Sequence, residues 1–135
     1  MNQLRVLIID DNDLNIQLTT FVLSRAAFTV ESASNVNLGK DQIAAFRPDL
    51  ILMDIQMPDM DGLEFTRRLK AAASTKHIPV VAFTAYAMTG DEARMLAAGC
   101  SGYIAKPIDF KTFAAEARAF IAAPTDAGRA SGGGP

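Results

Sequence analysis

The stretch LILMDIQMPDMDG, residues 50–62, begins with four apolar residues and then places an acid, Asp54, at the end of that run. An apolar run without polar alternation is typical of a strand that is covered on both faces in a parallel sheet. The following segment contains Pro58 and ends at Gly62, both of which interrupt regular structure. A carboxylate at the end of a buried strand is unfavourable unless a neighbouring group stabilises its charge. Asp54 is therefore the first candidate for a functional residue.

Short apolar runs recur along the whole chain and alternate with longer amphipathic segments. The runs cover residues 4–9, 28–33, 49–53, 78–83 and 102–105. Alternation of short strands with helical patterns predicts βαβ units rather than hairpins. We therefore expect an α/β fold of the (βα)5 type, a doubly wound parallel sheet with helices on both faces.

The segments between the runs carry helix signals. Leu14, Leu18, Phe21 and Val22 share one side of the first helix. Segment 35–46 has the weakest helical pattern, but two parallel strands must be joined by a crossover, so we expect a helix there too. Gly99 is placed to end the fourth helix. The residues predicted to begin helices are Asn12 or Asp13, Asp61, Thr89 with Glu92 as a capping box, and Asp109.

The composition narrows the possible functions. The 135 residues include 13 basic and 15 acidic side chains, a balance that gives no basic surface for nucleic acid or an anionic membrane. The single cysteine, Cys100, excludes an internal disulfide. No signal peptide is visible, and no apolar stretch approaches the roughly 20 residues of a membrane span. We expect one cytoplasmic domain over residues 1–123 and a flexible Gly-rich tail over residues 124–135.

Polar residues follow four of the five predicted strands. Asp10 and Asp11 follow the first strand, Asp54 the third, Thr84 the fourth and Lys106 the fifth. Each residue alone could belong to a turn or a solvated strand end, but ligands bind at this edge of open α/β sheets. Three adjacent carboxylates repel one another and require a cation. Their all-oxygen donor set favours Mg²⁺, and with a lysine and a hydroxyl it suits phosphoryl transfer to a carboxylate.

Four motifs extend this interpretation to a family. They are VLIIDDND (6–13), DLILMDIQMPDMDG (49–62), PVVAFTAYA (79–87) and GYIAKP (102–107). Together they are highly specific, and over residues 4–122 the chain resembles the receiver domains of two-component response regulators. The resemblance implies a flavodoxin-like fold with strand order 2-1-3-4-5.

The resemblance also implies how the acidic residues divide their roles. Asp54 corresponds to the aspartate that accepts a phosphoryl group from a histidine kinase or a histidine phosphotransfer protein. Asp11 corresponds to the direct Mg²⁺ ligand, Asp10 to a residue that acts mainly through a metal-bound water, and Asp54 to a further ligand. The backbone carbonyl of Gln56 corresponds to the remaining protein ligand.

Further residues correspond to the phosphoryl-binding and switch positions of the family. The Thr84 hydroxyl and the Ala85 amide would bind phosphoryl oxygens, and Lys106 would pair with the phosphoryl group. The Lys106–Pro107 bond is cis in most family members, so we expect it to be cis here. Tyr103 corresponds to the aromatic switch residue that moves inward when Thr84 moves towards the phosphoryl group.

These correspondences imply a phospho-accepting switch rather than an enzyme. IIDDNDLN (8–15), HIPVVAFTAYAMTGDE (77–92) and GCSGYIAKPI (99–108) most resemble DivK-type single-domain regulators and the receivers attached to hybrid kinases. Only thirteen residues follow Ala122, too few for a DNA-binding domain, so we expect protein targets bound through helix 4, strand 5 and helix 5. The protein would be a monomer or a phosphorylation-dependent dimer.

Two alternatives remain open. The chain could be a receiver domain excised from a hybrid histidine kinase or a larger regulator. It could also be an aspartyl-phosphate hydrolase of the haloacid-dehalogenase type, although such enzymes need a second aspartate two residues after the nucleophile, where this chain has Gln56. A nucleotide-binding function is disfavoured because no Gly-rich loop follows the first strand.

Overall fold

The computed structural model describes residues 3–55, 62–84 and 91–122, in which five strands alternate with five helices. The strands are β1 (Arg5–Ile9), β2 (Thr29–Ala33), β3 (Leu50–Asp54), β4 (Val80–Thr84) and β5 (Gly102–Ala105). The helices are α1 (Asp13–Arg25), α2 (Val36–Phe46), α3 (Gly62–Ala71), α4 (Asp91–Ala98) and α5 (Phe113–Ala122).

The strands form one parallel sheet in the order β2-β1-β3-β4-β5. Both the α/β class and the flavodoxin-like strand order predicted from the sequence are confirmed. All five residues of β3 and all five of β4 are buried, which explains their continuous apolar sequences. In the edge strand β2, exposed residues alternate with partly buried ones up to Ala33, which is buried.

The pleat of the strands divides the core into two clusters, one on each face of the sheet. The first cluster joins the sheet to α2, α3 and α4, and the second joins it to α1 and α5. Successive residues of β4 show the division, since Ala82 belongs to the first cluster and Phe83 to the second. The predicted helices on both faces are confirmed.

Helix α2 forms despite its weak sequence pattern. The Asn35 side chain accepts a hydrogen bond of 2.9 Å from the Leu38 N–H and so caps the first turn. Val36 and Ile43 bury the apolar side of the helix. Gly39 is a poor helix former, but a Cβ atom at this position would lie 2.7 Å from Ile9 Cδ1, so a glycine lets the helix approach β1 closely.

Other helix boundaries agree with the sequence or shift by a short distance. Asn12 caps α1 by accepting from the Asn15 N–H, and Gly99 follows α4 with a φ of 107°, which favours glycine. The predicted start after Asp109 differs from the structure, in which α5 begins at Phe113. The Asp109 carboxylate instead accepts from the Lys111 N–H, and its carbonyl accepts from the Phe113 N–H, so this residue closes a turn before the helix.

The predicted helix starts at Asp61 and Thr89 lie outside the described residues, as does the tail from residue 124. In the part of the chain that the structure describes, no helix is long and apolar enough to cross a membrane.

Candidate functional site

The polar residues singled out from the sequence lie at one edge of the sheet. Asp10 directly follows β1, Asp54 and Thr84 are the last residues of β3 and β4, and Lys106 directly follows β5. These four strands are neighbours in the sheet, and their ladders end at adjacent positions. Parallel strands present the same end to the same edge, so the fold brings these side chains together as the sequence indicated.

Three carboxylates form the centre of this edge. Carboxylate oxygens of Asp10, Asp11 and Asp54 lie within 4.8 Å of one another. Asp10 and Asp54 are buried, whereas Asp11 is exposed. The Asp10 Oδ1 atom accepts a 2.9 Å hydrogen bond from the Asn12 N–H, which fixes the carboxylate at the start of the β1–α1 connection.

Lys106 places a positive charge among these acids. Its Nζ atom lies 3.0 Å from Asp10 Oδ2 and 3.4 Å from Asp54 Oδ2. The lysine side chain is only 12% exposed, so solvent screens these charge pairs weakly. The contact with Asp10 is a charge pair and not a regular hydrogen bond, since Oδ2 accepts no hydrogen bond of regular geometry from any described residue.

Among the described residues of this edge, three acids outnumber one ammonium, which leaves excess negative charge. A buried Asp10 oxygen without a regular hydrogen bond, beside two further carboxylates, offers the hard oxygen donors that Mg²⁺ prefers. The residues present therefore fit a divalent cation, which Asp10, Asp11 and Asp54 would hold. These carboxylate oxygens are the observation that supports a metal site here.

Gly62 brings the first turn of α3 against the backbone of Asp54. A Cβ atom at Gly62 would lie 2.5 Å from the Asp54 carbonyl oxygen and 2.9 Å from Ile55 Cα. The Gly62 carbonyl accepts a buried hydrogen bond of 2.8 Å from the Thr66 hydroxyl, which fixes this turn. From the sequence, Gly62 was expected only to shape the loop before α3, and its direct approach to Asp54 was not foreseen.

Phe83 is a second feature of the site that the sequence did not reveal. The Lys106 Nζ atom lies over the Phe83 ring at 5.1 Å from its centroid, and the ring stacks on Phe113 of α5. As the last residue of the apolar run 78–83, Phe83 looked only like a core residue. Its position one residue before Thr84 is the signal that could have placed it beside the site.

The remaining predicted site residues have varied outcomes. Thr84 is buried at the end of β4, and the Lys106–Pro107 bond is cis as expected. Tyr103 is partly buried on β5 and packs against the core cluster on the side of α2, α3 and α4. Gln56 and Ala85 lie outside the described residues.

Cys100 is buried two residues before β5, at the opposite end of that strand from Lys106. Burial raises the pKa of its thiol from 9.0 to about 11, while a hydrogen bond with the Thr66 side chain acts in the opposite direction. The thiol therefore stays protonated near neutral pH, which suits an inert packing residue.

Helix α1 presents apolar side chains to solvent next to the site. Leu14, Leu18 and Phe21 share one side of the helix, and Leu14 and Phe21 are 62% and 58% exposed. Val22, grouped with them from the sequence, is partly buried, and the helix buries Thr19 and Leu23 against the rest of the protein. The exposed side begins three residues after Asp11.

Known proteins are similar to this chain in sequence and in fold. Residues 6–118 match the family model described as the response regulator receiver domain. The polar-differentiation response regulator DivK of Brucella anthropi is 40% identical over 116 residues, which cover 86% of this chain and 94% of that protein. DivK of Brucella ovis is also 40% identical, over 117 residues.

Solved structures agree with the sequence relatives. A response regulator from Chloroflexus aurantiacus superposes with a TM-score of 0.85 at 25% identity, covering 90% of this chain and all of that one. The receiver domain of a sensor histidine kinase from Pseudomonas aeruginosa has a TM-score of 0.80 at 27% identity, with coverages of 90% and 99%, and holds a magnesium ion in its active site cleft. With its fold, its acidic edge and these relatives, the chain belongs to the response regulator receiver domain family of two-component systems.

Proposed function

We propose that this chain is a response regulator that accepts a phosphoryl group on Asp54 in the presence of Mg²⁺. The observation that carries the proposal is the position of the Asp54 carboxylate. It is 3% exposed at a strand end, it lies within 4.8 Å of two other carboxylates, and its Oδ2 atom is 3.4 Å from the Lys106 ammonium. A carboxylate so placed can act as a nucleophile whose product charge is offset locally.

The proposed transfer exchanges one bond for another. An Asp54 carboxylate oxygen attacks the phosphorus of a phosphohistidine, the new O–P bond forms, and the P–N bond breaks with its electron pair returning to the imidazole. Lys106 offsets the charge on the transferred group, and the Thr84 hydroxyl and Ala85 amide are proposed to donate hydrogen bonds to its oxygens. When bound, Mg²⁺ supplies the further positive charge that this reaction needs.

Asp10, Asp11 and Asp54 are the residues that we propose hold the metal. Their oxygens lie within 4.8 Å of one another, so small side-chain movements would bring them around one ion, and Asp11 is open to solvent. Magnesium keeps several waters when proteins bind it, so an exposed side at Asp11 suits the ion. The carbonyl of Gln56, outside the described residues, stays a predicted ligand.

The exposed apolar side of α1 supports a protein as the phosphoryl donor. Leu14, Leu18 and Phe21 form an apolar stripe that starts beside Asp11. Contiguous exposed apolar residues mark protein interaction sites, and α1 begins two residues after Asp11 of the acidic site. We assign the stripe to docking of a histidine kinase or a histidine phosphotransfer protein.

For the output we propose the face formed by α4, β5 and α5. Tyr103 lies on β5 next to Ala82 of β4, two residues before Thr84, so movement at Thr84 can reach the aromatic side chain through one pair of strands. We propose a receiver domain over residues 1–123 with residues 124–135 as a flexible tail. Function as a single-domain regulator in the cytoplasm, and a monomer or a phosphorylation-dependent dimer, stay predictions.

A mass measurement tests the phosphoryl acceptor. Incubation with Mg²⁺ and acetyl phosphate should add one phosphoryl group to the wild-type protein and none to Asp54→Asn. Asp41→Asn, which removes an exposed carboxylate on α2, is the matched control and should be modified normally. Modification of Asp54→Asn to the wild-type extent would refute the acceptor assignment.

The same incubation distinguishes a switch from a hydrolase. A switch consumes acetyl phosphate only as fast as its own aspartyl phosphate decays, so release of inorganic phosphate should stay slow after the first equivalent. Rapid release of many equivalents that requires Asp54 would favour the hydrolase instead.

A further inference from the structure

The Lys106 ammonium is held by three groups, and one of them is aromatic. The Nζ atom contacts Asp10 Oδ2 at 3.0 Å and Asp54 Oδ2 at 3.4 Å, and it lies 5.1 Å above the centre of the Phe83 ring. The face of an aromatic ring attracts a cation, most strongly where water is excluded. Phe83 is fully buried and the lysine side chain nearly so, which meets that condition.

Phe83 differs in kind from the other strand residues of its core cluster. The other strand residues that face α1 and α5 in the same cluster are aliphatic: Val6, Ile8, Val30, Leu50, Leu52, Val81 and Ile104. Phe83 is the exception among the described strand residues on this face, and it is also the one that lies beneath Lys106.

The Phe83 ring continues the contact into α5. It stacks on Phe113 with centroids 5.9 Å apart and an angle of 19° between the ring planes. Phe113 is fully buried and is the first residue of α5. Lys106, Phe83 and Phe113 thus form a continuous contact from the acidic site to the beginning of that helix.

We propose that Phe83 is a positioning residue that holds the Lys106 ammonium between Asp10 and Asp54 and, through Phe113, couples its position to the first turn of α5. A phosphoryl group on Asp54 adds negative charge beyond the ring and draws the ammonium towards it, which weakens its contact with the ring face. The coupling to α5 rests on the proposed function, whereas the positioning of Lys106 does not depend on phosphorylation.

Magnesium affinity reports on the positioning of Lys106, because the ammonium and the metal compete for the same carboxylates. Phe83→Leu leaves the ammonium less confined, and we expect the Mg²⁺ dissociation constant in calorimetric titration to fall about threefold, in line with a single cation–π contact. Phe83→Met, closer in size to phenylalanine, should have the same effect and serves if the leucine variant does not fold. Phe83→Tyr keeps the ring and should retain the wild-type affinity.

A double substitution separates this role from a general loosening of the core. Lys106→Met removes the ammonium and keeps an apolar side chain, and in that background Phe83→Leu should leave the Mg²⁺ dissociation constant unchanged. Phe65→Leu, at an equally buried ring on the opposite face of the sheet, controls for lost core volume and should not alter metal affinity. Equal effects of Phe83→Leu with and without Lys106, or an equal effect of Phe65→Leu, would overturn the proposal.

Amide chemical shifts test the coupling to α5. With acetyl phosphate and Mg²⁺, the wild-type protein should show shift changes in the first turn of α5, and Phe113→Leu should reduce them by at least half while the changes in α4 persist. Retention of the full α5 response in Phe113→Leu would overturn the coupling. Failure of the wild-type protein to become phosphorylated would refute the proposed function instead, and the metal titrations would still decide the positioning of Lys106.

Discussion

Replacement of Gly62 by alanine should disturb the candidate site through the backbone of Asp54. The added Cβ atom would lie 2.5 Å from the Asp54 carbonyl oxygen, where ordinary contact begins at 3.4 Å, so one of the two backbones must shift by about 0.9 Å (3.4 − 2.5). Ile55 Cα at 2.9 Å blocks part of the available movement. The collision is with backbone atoms, which cannot rotate away as a side chain can.

The expected magnitude follows from two opposing effects. Overpacking of this kind destabilises a protein by about 1–3 kcal/mol. Alanine favours a helix over glycine by up to about 1 kcal/mol in a helix interior, and by less at the first helical position that Gly62 occupies. The net loss in the free energy of unfolding should therefore be about 1–2 kcal/mol, measured by urea unfolding. Magnesium binding should weaken as well, since the shifted backbone carries Asp54.

Gly39→Ala is the matched control. Its Cβ atom would meet Ile9 Cδ1 at 2.7 Å and Cγ1 at 3.3 Å, both in a side chain that can rearrange. Its position within α2 also gains the full helix preference of alanine, so we expect a change in unfolding free energy within about 0.5 kcal/mol. The steric argument fails if Gly62→Ala is as stable as Gly39→Ala and binds Mg²⁺ like the wild-type protein.

Three further predictions concern the pH dependence of stability, a helix cap and the donor surface. Burial raises the Cys100 pKa from 9.0 to about 11, so the thiol ionises at a lower pH in the unfolded chain than in the folded protein. The contribution of the protonated thiol to the free energy of unfolding is complete below pH 9. It should fall by about 2–3 kcal/mol as the pH rises to 11. Urea unfolding across this range should show a smaller decline in Cys100→Ala, and identical slopes would contradict the assignment. Asn35→Ala should lower the unfolding free energy by about 1 kcal/mol through loss of the α2 cap, whereas the exposed Asn37→Ala should change it little. Phe21→Ser should slow phosphorylation by the cognate histidine donor about tenfold, as expected for an apolar interface residue, and leave labelling by acetyl phosphate unchanged. Leu38→Ser, at an exposed position on α2, should slow neither reaction. If Phe21→Ser slows labelling by both donors, Phe21 contributes to folding and not to donor docking.

The strand ends were predictable from the sequence because each is marked by a change in chemistry. Apolar runs that stop at Asp10, Asp54 and Lys106 define both the strand and the edge to which it delivers a side chain. Parallel topology then brings those edges together without any information about side-chain packing. This is why the composition of the acidic site followed from a one-dimensional pattern.

Contacts between side chains of different helices and strands could not be predicted in the same way. Helical spacing shows that Leu14, Leu18 and Phe21 share one side of α1, but it does not show that this side faces solvent. An apolar position such as Phe83 indicates burial, yet the identity of the atom above its ring depends on how the β5–α5 connection returns over the sheet. The approach of Gly62 to Asp54 likewise depends on the angle at which α3 enters the core.

Because β4 is pleated, its last two side chains face opposite layers of helices. Phe83 and Thr84 are adjacent in sequence, but Phe83 joins the cluster under α1 and α5, and the pleat directs Thr84 towards the layer of α2, α3 and α4. A substitution under one helix layer can therefore change how that layer packs against the end of β4 and leave the packing of the other layer unchanged. If both faces of the sheet bind partners as proposed, the two surfaces can diverge separately in evolution while they share the one site at the strand ends.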